Sequence, residues 1–222
     1  MSTDLPTRSV PQLHSIDIDE KLVLSAFRKL KCNLSAGPDG LSPLLFKRVK
    51  NAIVFPLALM FKQIFSTVFI PDAWKKAIIT PVHKKGTTDL VSNYRPISIT
   101  CVSCKLLERI TANQIYSHLN VNNILCHEQH GFVQGKSTCT NLLKSLNDWT
   151  QNSQDGYQTV IIYVDFSKAF DVVQHNKLLF KLHAIGIGGE LLAWIRNLFS
   201  NRTFQTRVSD LLSAVCDLYL VV

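Results

Sequence analysis

Two aspartates six residues apart, Asp165 and Asp171, close the stretch VIIYVDFSKAFD at positions 160–171. The run Val160–Val164 is β-branched and aromatic, the pattern of a short strand buried on both faces. A carboxylate at the tip of such a strand is costly to desolvate unless it meets a cation, hydrogen-bond donors or an open cleft. One role for it is local, capping the next turn through its side chain. The other is chemical: one carboxylate suits Mg²⁺, which takes one or two and completes its shell with water and substrate phosphates. Only Asp165 is set by the strand to face a cleft, whereas Asp171 can cap or salt-bridge. Phe170 suits core packing as well as substrate contact. Upstream, Lys84, Lys85 and Arg95 flank a polar loop between two extended pieces. A basic hairpin of that kind could reach over a triphosphate, Arg supplying a bidentate fork and Lys a point charge. Carboxylate-bound metal plus basic clamp is the recurring equipment of phosphoryl transfer.

The net charge of +8 is carried by one segment: residues 47–109 hold eleven Lys or Arg against Asp72, Asp89 and Glu108, and the remaining residues balance at thirteen of each sign. Such a patch is the electrostatic footprint of a polyanion binder, and a solvated surface is its alternative.

The elements that must position these groups follow from periodicity and turn chemistry. Glu20–Lys31 reads as a basic amphipathic helix with Asp17 or Asp19 as its cap, and the six residues SAGPDG at 35–40 as a turn. Helices are expected over 44–51, 53–68, 103–119, 138–152, 176–184 and 190–200. Strands are expected over 77–84, 93–99, 160–164 and 203–208, with Pro81 demoting the first to an edge position. Pro96 pushes Arg95 toward extended backbone. Residues 1–16 read as a loose lead-in. Elements of both kinds without regular βαβ alternation make an α+β domain.

Apolar content of 46% and charged content of 18% fit a globular chain. The longest apolar run, Ala52–Phe61, contains Pro56 and is too short to span a bilayer, so no membrane partner is expected. The first residues lack a basic-then-apolar signal pattern, which points to an intracellular protein with reduced cysteines. Cys101-x-x-Cys104 with Cys126 and His130 imitates a zinc set only loosely. Both of the first two lie in an apolar segment entering a helix, where Cys behaves as a small buried side chain, so no zinc is expected.

Taken together, SAGPDG (35–40), WKKAIITPVHKKG (74–86), NYRPISI (93–99), KLLERI (105–110), QHGFVQGKST (129–138), VDFSKAFDVVQHNKLL (164–179) and the downstream GIGGELLAWIRNLFSNRTFQ are in order and spacing those of a known family. Over roughly residues 20–217 the chain resembles the reverse transcriptases of non-long-terminal-repeat (LINE-like) retrotransposons. The resemblance implies a right-hand polymerase-like fold: a lead-in at 1–19, fingers at 20–119 and the first part of a palm at 120–222. It implies RNA and DNA template–primer and dNTP as partners and Mg²⁺ as cofactor. Asp165 would be the first metal-binding aspartate, and Phe166 would offer its backbone carbonyl to a metal. Lys84 or Lys85, with Arg95, would touch the incoming triphosphate. Phe170 would exclude ribonucleotides, and Gln129, Gly131 and Phe132 would lie near the template.

The chain departs from the family in having no Asp-Asp dipeptide. The expectation is therefore a palm cut before its second and third catalytic motifs: a catalytically incomplete polymerase domain, or alternatively a non-catalytic nucleic-acid-binding remnant or a fragment without selected function. The strand at 160–164 would then lack its neighbour and offer a route to self-association, with the Leu218–Val222 tail as a makeshift partner.

Overall fold

The computed structural model describes residues 10–32, 34–166, 169–170, 172–209 and 211–218. Helices α1 (Glu20–Arg28), α2 (Pro43–Arg48) and α3 (Lys50–Thr67) come first, followed by strands β1 (Lys76–His83) and β2 (Tyr94–Ile99). Helices α4 (Val102–Val121), α5 (Thr138–Gln154), α6 (His175–Ala184) and α7 (Gly189–Leu198) follow, then β3 (Arg202–Val208), β4 (Leu211–Leu212) and β5 (Cys216–Leu218). The fold is mixed α and β, as the patterning requires.

The core is helical. Phe27 of α1, Phe61 and Phe65 of α3, Leu106 and Leu107 of α4, and Leu191 and Trp194 of α7 pack into one buried cluster. Each such side chain contributes about 1.5–3 kcal/mol by leaving water. Phe65 meets Trp194 at 5.1 Å between ring centroids, and Phe61 meets Trp74 edge-on at 6.1 Å. Asp19 caps α1 by accepting from the Leu22 amide at 2.8 Å. Pro56 sits inside α3, and it and Ala52 are exposed, so water can satisfy the Ala52 carbonyl that the proline cannot.

Three sequence expectations are corrected. The first is that β1 is not an edge strand. It pairs antiparallel with β2 from Ile78 to His83 and parallel with β3 from Lys76 to Ile79. Pro81 lies opposite Pro96. Neither nitrogen carries a hydrogen, so theirs must be a non-hydrogen-bonded pair whose nitrogens point out of the hairpin. On β1 that side belongs to β3, whose pairing has ended at Ile79↔Thr206. The proline ends the second ladder instead of excluding it.

The second correction concerns the lead-in. Residues 1–9 lie outside the described part; in the rest of the lead-in Leu13 is bridged to Ile187 and Ile16 is buried, as is Ile18 just beyond it. The Leu13 amide donates to Gly186 O at 2.8 Å, and the Gly188 amide to Leu13 O at 3.1 Å. Gly186, at φ +90°, permits this crossing, because a Cβ there would lie 2.5 Å from Pro11 O.

The third correction concerns Val160–Val164. It forms no strand, and Val160, Ile162 and Tyr163 are 80–84% exposed. A strand buried on both faces needs a hydrogen-bonded neighbour and cover above and below. Among the described residues this segment has neither. Cys216–Leu218 pairs antiparallel with β3, not with this segment. Residues 219–222 lie outside the described part.

Candidate nucleotide and template site

The β1–β2 hairpin gathers the first group of predicted site residues. Its register sets Arg95 opposite Val82 and Tyr94 opposite His83, and the Lys84 amide donates to Asn93 O at 2.8 Å. Lys84 therefore follows two residues after the partner of Arg95, at the same end of the hairpin. Lys84, Lys85 and Arg95 are exposed, and among the described residues none of their side chains has a hydrogen-bond or ion-pair partner. The loop's one acid, Asp89, is drawn onto the loop itself. Hydrogen bonds from Thr87 and from its own backbone hold its carboxyl below the usual range. None of the three cations is in an ion pair among the described residues, which leaves them able to meet an oxyanion.

The second group lies on the loop before α5. Ser137 caps that helix through a reciprocal pair with Thr140, which sets the loop's exit. Two bonds hold the loop: the Gln134 amide donates to the Tyr116 hydroxyl of α4 at 2.9 Å, and Lys136 Nζ, near the loop's end, donates to His127 O at its start. Glu128 accepts from the Cys126 thiol at 2.9 Å and from Lys144 at 2.8 Å, which pulls its carboxyl down to about 2. Gln129 donates to Gly131 O at 3.3 Å. Phe132 adopts φ +60°, a strained conformation for a bulky residue, and its ring is 90% exposed. It meets the Phe170 ring edge-on at 6.0 Å and 87°. Two residues far apart in sequence, one expected at the template and one at the sugar, are thus neighbours.

Asp165 and Phe166 make no hydrogen bond, ion pair or ring contact with either group among the described residues. Both are exposed on the unpaired segment, and Asp165 has no hydrogen-bond or ion-pair partner among the described residues. Asp171 lies outside the described part. Among the described residues, no group of three or more His, Cys, Asp or Glu is placed to hold a metal ion. The Asp165 carboxylate fits one coordination position of Mg²⁺, and the described residues do not furnish a complete two-metal site. Cys101 and Cys104 are buried and engaged, the first donating to Ala73 O at 3.3 Å and the second to Glu108 at 3.4 Å. Burial pushes the Cys101 thiol up to about 11 and raises that of Cys104 further. A cavity of about 620 Å³ between α3 and α7, bordered by Val68, Leu192, Arg196 and Asn197, is lined by none of the predicted site residues.

Sequence reasoning missed His83, Asn93 and Tyr94, which hold the loop between β1 and β2. The signal was there in principle: hydrogen-bonding side chains at both ends of a polar, glycine-bearing loop.

No helix among the described residues is long and apolar enough to cross a membrane. A family model described as reverse transcriptase (RNA-dependent DNA polymerase) matches residues 82–214. The chain is 27% identical over 210 residues to a probable RNA-directed DNA polymerase from transposon BS of Drosophila melanogaster, covering 94% of this chain and 23% of that protein. It is 26% identical over 204 residues to the RNA-directed DNA polymerase from mobile element jockey of the same species, covering 91% and 22%. It is 23% identical over 201 residues to an uncharacterized 149 kDa protein of transposon TX1 of Xenopus laevis, covering 90% and 15%. The chain thus spans less than a quarter of the length of these relatives. The family match covers Lys84, Lys85, Arg95, the loop before α5 and Asp165, and the chain belongs to the reverse transcriptase (RNA-dependent DNA polymerase) family, as the reverse transcriptase domain of a non-long-terminal-repeat retroelement.

Proposed function

We propose that this chain supplies the fingers and the first part of the palm of a retroelement polymerase, with residues 20–119 as fingers, 120–222 as palm and 1–19 as an entry segment. Lys84 or Lys85, with Arg95, meets the triphosphate of an incoming dNTP. Phe170 abuts its sugar, and Gln129, Gly131 and Phe132 face the template strand. Asp165 and the Phe166 carbonyl are the groups that would hold Mg²⁺, which when bound with a dNTP neutralises phosphate charge. The observation that carries this reading is the hairpin register, which puts three exposed, unpartnered cations at one end of β1–β2.

The binding prediction follows from counterion release: affinity for RNA or DNA falls linearly in log salt with the number of phosphates neutralised. Filter binding across a salt series should show a shallower slope and weaker binding for a Lys84→Ala, Lys85→Ala, Arg95→Ala triple variant. Equal, salt-insensitive binding by both proteins would defeat the reading.

A non-catalytic role for residues 1–222 by themselves is favoured by the isolation of Asp165 among the described residues. The 222-residue chain is then expected to extend no primer with Mg²⁺ or Mn²⁺. Extension that Asp165→Asn abolishes would show that a full site assembles.

A further inference from the structure

The loop between β1 and β2 is held by its flanking side chains, and each bond falls on a carbonyl. His83 Nε2 lies 3.0 Å from Gly86 O and must carry the proton, because a carbonyl can only accept. Asn93 Nδ2 donates to Thr87 O at 2.7 Å, and the Tyr94 hydroxyl to Thr88 O at 2.9 Å. The His83 and Tyr94 rings meet edge-on at 5.3 Å, so the two ends of the set brace each other. Gly86 admits Asn93: at φ +82°, a Cβ there would lie 2.6 Å from Asn93 Nδ2.

Three successive carbonyls thus turn toward the hairpin's closing residues. In a trans peptide the C=O of one residue and the N–H of the next point in opposite directions. The Thr87 and Thr88 amides therefore point away from the hairpin, and among the described residues neither has an acceptor; the Asp89 carboxylate, held by the Thr87 side chain and its own backbone, is the loop's one anion. Lys84 and Lys85 precede them directly, and Arg95 follows Tyr94. Consecutive outward amides beside cations form an anion-binding concavity.

We propose that the loop is a preformed phosphate receptor in which the Thr87 and Thr88 amides join Lys84, Lys85 and Arg95, with His83, Asn93 and Tyr94 as the positioning residues that hold it open. The inference rests on the reading of those three cations above and adds to it two backbone donors and the side chains that aim them. The ligand chemistry is a phosphate oxyanion, carried either by a nucleoside triphosphate or by a nucleic-acid backbone.

The test is a titration of the ¹⁵N-labelled full chain with sodium tripolyphosphate and, separately, with a short single-stranded oligodeoxynucleotide. Downfield movement of the Thr87 and Thr88 amide protons is expected with the probe that carries the true ligand chemistry. A response to tripolyphosphate alone assigns the triphosphate, and a response to the oligonucleotide alone assigns the backbone. No movement of either amide with either probe overturns the receptor. Tyr94→Phe keeps the ring against His83 and removes one hydrogen bond, so binding should weaken about three- to tenfold. Because no charge is removed, its salt slope should equal that of wild type, whereas Lys84→Ala should lower the slope by about one. Wild-type affinity in both Tyr94→Phe and Asn93→Ala, with Lys84→Ala still lowering the slope, overturns the positioning role and leaves the cation reading intact. A Lys84→Ala slope equal to wild type removes both.

Discussion

Replacing Asn197 by Ala should loosen the joint between the helical core and the start of β1. Asn197 on α7 donates to Val68 O at 2.7 Å, where α3 ends in a left-handed residue of φ +55°. Its other side-chain atom accepts from Lys75 Nζ at 2.8 Å, immediately before β1. Both bonds are partly buried and link segments more than a hundred residues apart in sequence. The neutral bond is worth about 1 kcal/mol and the charged one about 1.5–3 kcal/mol, which solvent screening at a half-buried lysine lowers. The longer contact from Ser200, at 3.3 Å, adds little, since Ser200 also donates to the Asn197 backbone carbonyl. A loss of about 2–3 kcal/mol is expected, and at about 2–4 °C per kcal/mol for a chain of this size Tm should fall by roughly 4–12 °C. Thermal melts followed by circular dichroism would measure it, and a cycle with Lys75→Met should give a coupling of about 1 kcal/mol. Asn197→Asp keeps the acceptor for Lys75 but sets a carboxylate against Val68 O, so its Tm should lie between those of wild type and the Ala variant. A Tm within about 1 °C of wild type for Asn197→Ala, or no coupling to Lys75, would refute this account of the joint.

Brief alkylation with N-ethylmaleimide at pH 8 should label the exposed Cys126, Cys139 and Cys216 and spare Cys101 and Cys104, as mass spectrometry of peptides would show; early labelling of Cys101 would contradict its buried, raised thiol. Glu128, lowered to about 2 from its ordinary value of 4.5, contributes a link that is fully present above about pH 4.5 and lost as pH falls through about 2. A ¹³C titration of its carboxyl should therefore find a midpoint near the lower value. The exposed run at 160–164 is expected to drive self-association, because an unsatisfied apolar segment offers backbone and side chains to a second copy. Ile162→Lys should shift size-exclusion elution toward monomer, and an unchanged profile from a protein already monomeric would dismiss the idea.

The helices were legible because their apolar spacing is strong; Asp19 was among the caps the sequence offered for α1, whereas the Ser42 and Ser137 caps of α2 and α5 were local signals left unread. The strands of the hairpin were legible from β-branched residues around Pro81 and Pro96, yet their place in the sheet was not. Parallel pairing of β1 with β3 joins residues 76–79 to 203–206, and no local pattern encodes a partner that distant. The segment 10–16 has no periodicity because a single bridge and a few backbone bonds hold it, which leave little mark on side-chain choice. At 160–164 the composition is that of a buried strand, but composition states a demand for neighbours and does not supply them. The site divided in the same way. Lys84, Lys85 and Arg95 could be singled out by charge, and the structure brings them together, whereas for His83, Asn93 and Tyr94 the sequence offered hydrogen-bonding side chains at the loop's ends but not which carbonyl each one holds.

The central claim is that the basic hairpin and Asp165 serve one bound nucleotide. Paramagnetic relaxation by Mn²⁺ with dATP on the ¹⁵N-labelled chain tests it directly. A single Mn²⁺·dATP complex should broaden the amides of residues 84–88 together with those of Asp165 and Phe166. Asp165→Asn and the Lys84, Lys85, Arg95 triple Ala variant should each relieve the broadening at both places. Broadening confined to one of the two segments, or unchanged in either variant, would show that they do not share a nucleotide and would contradict the account.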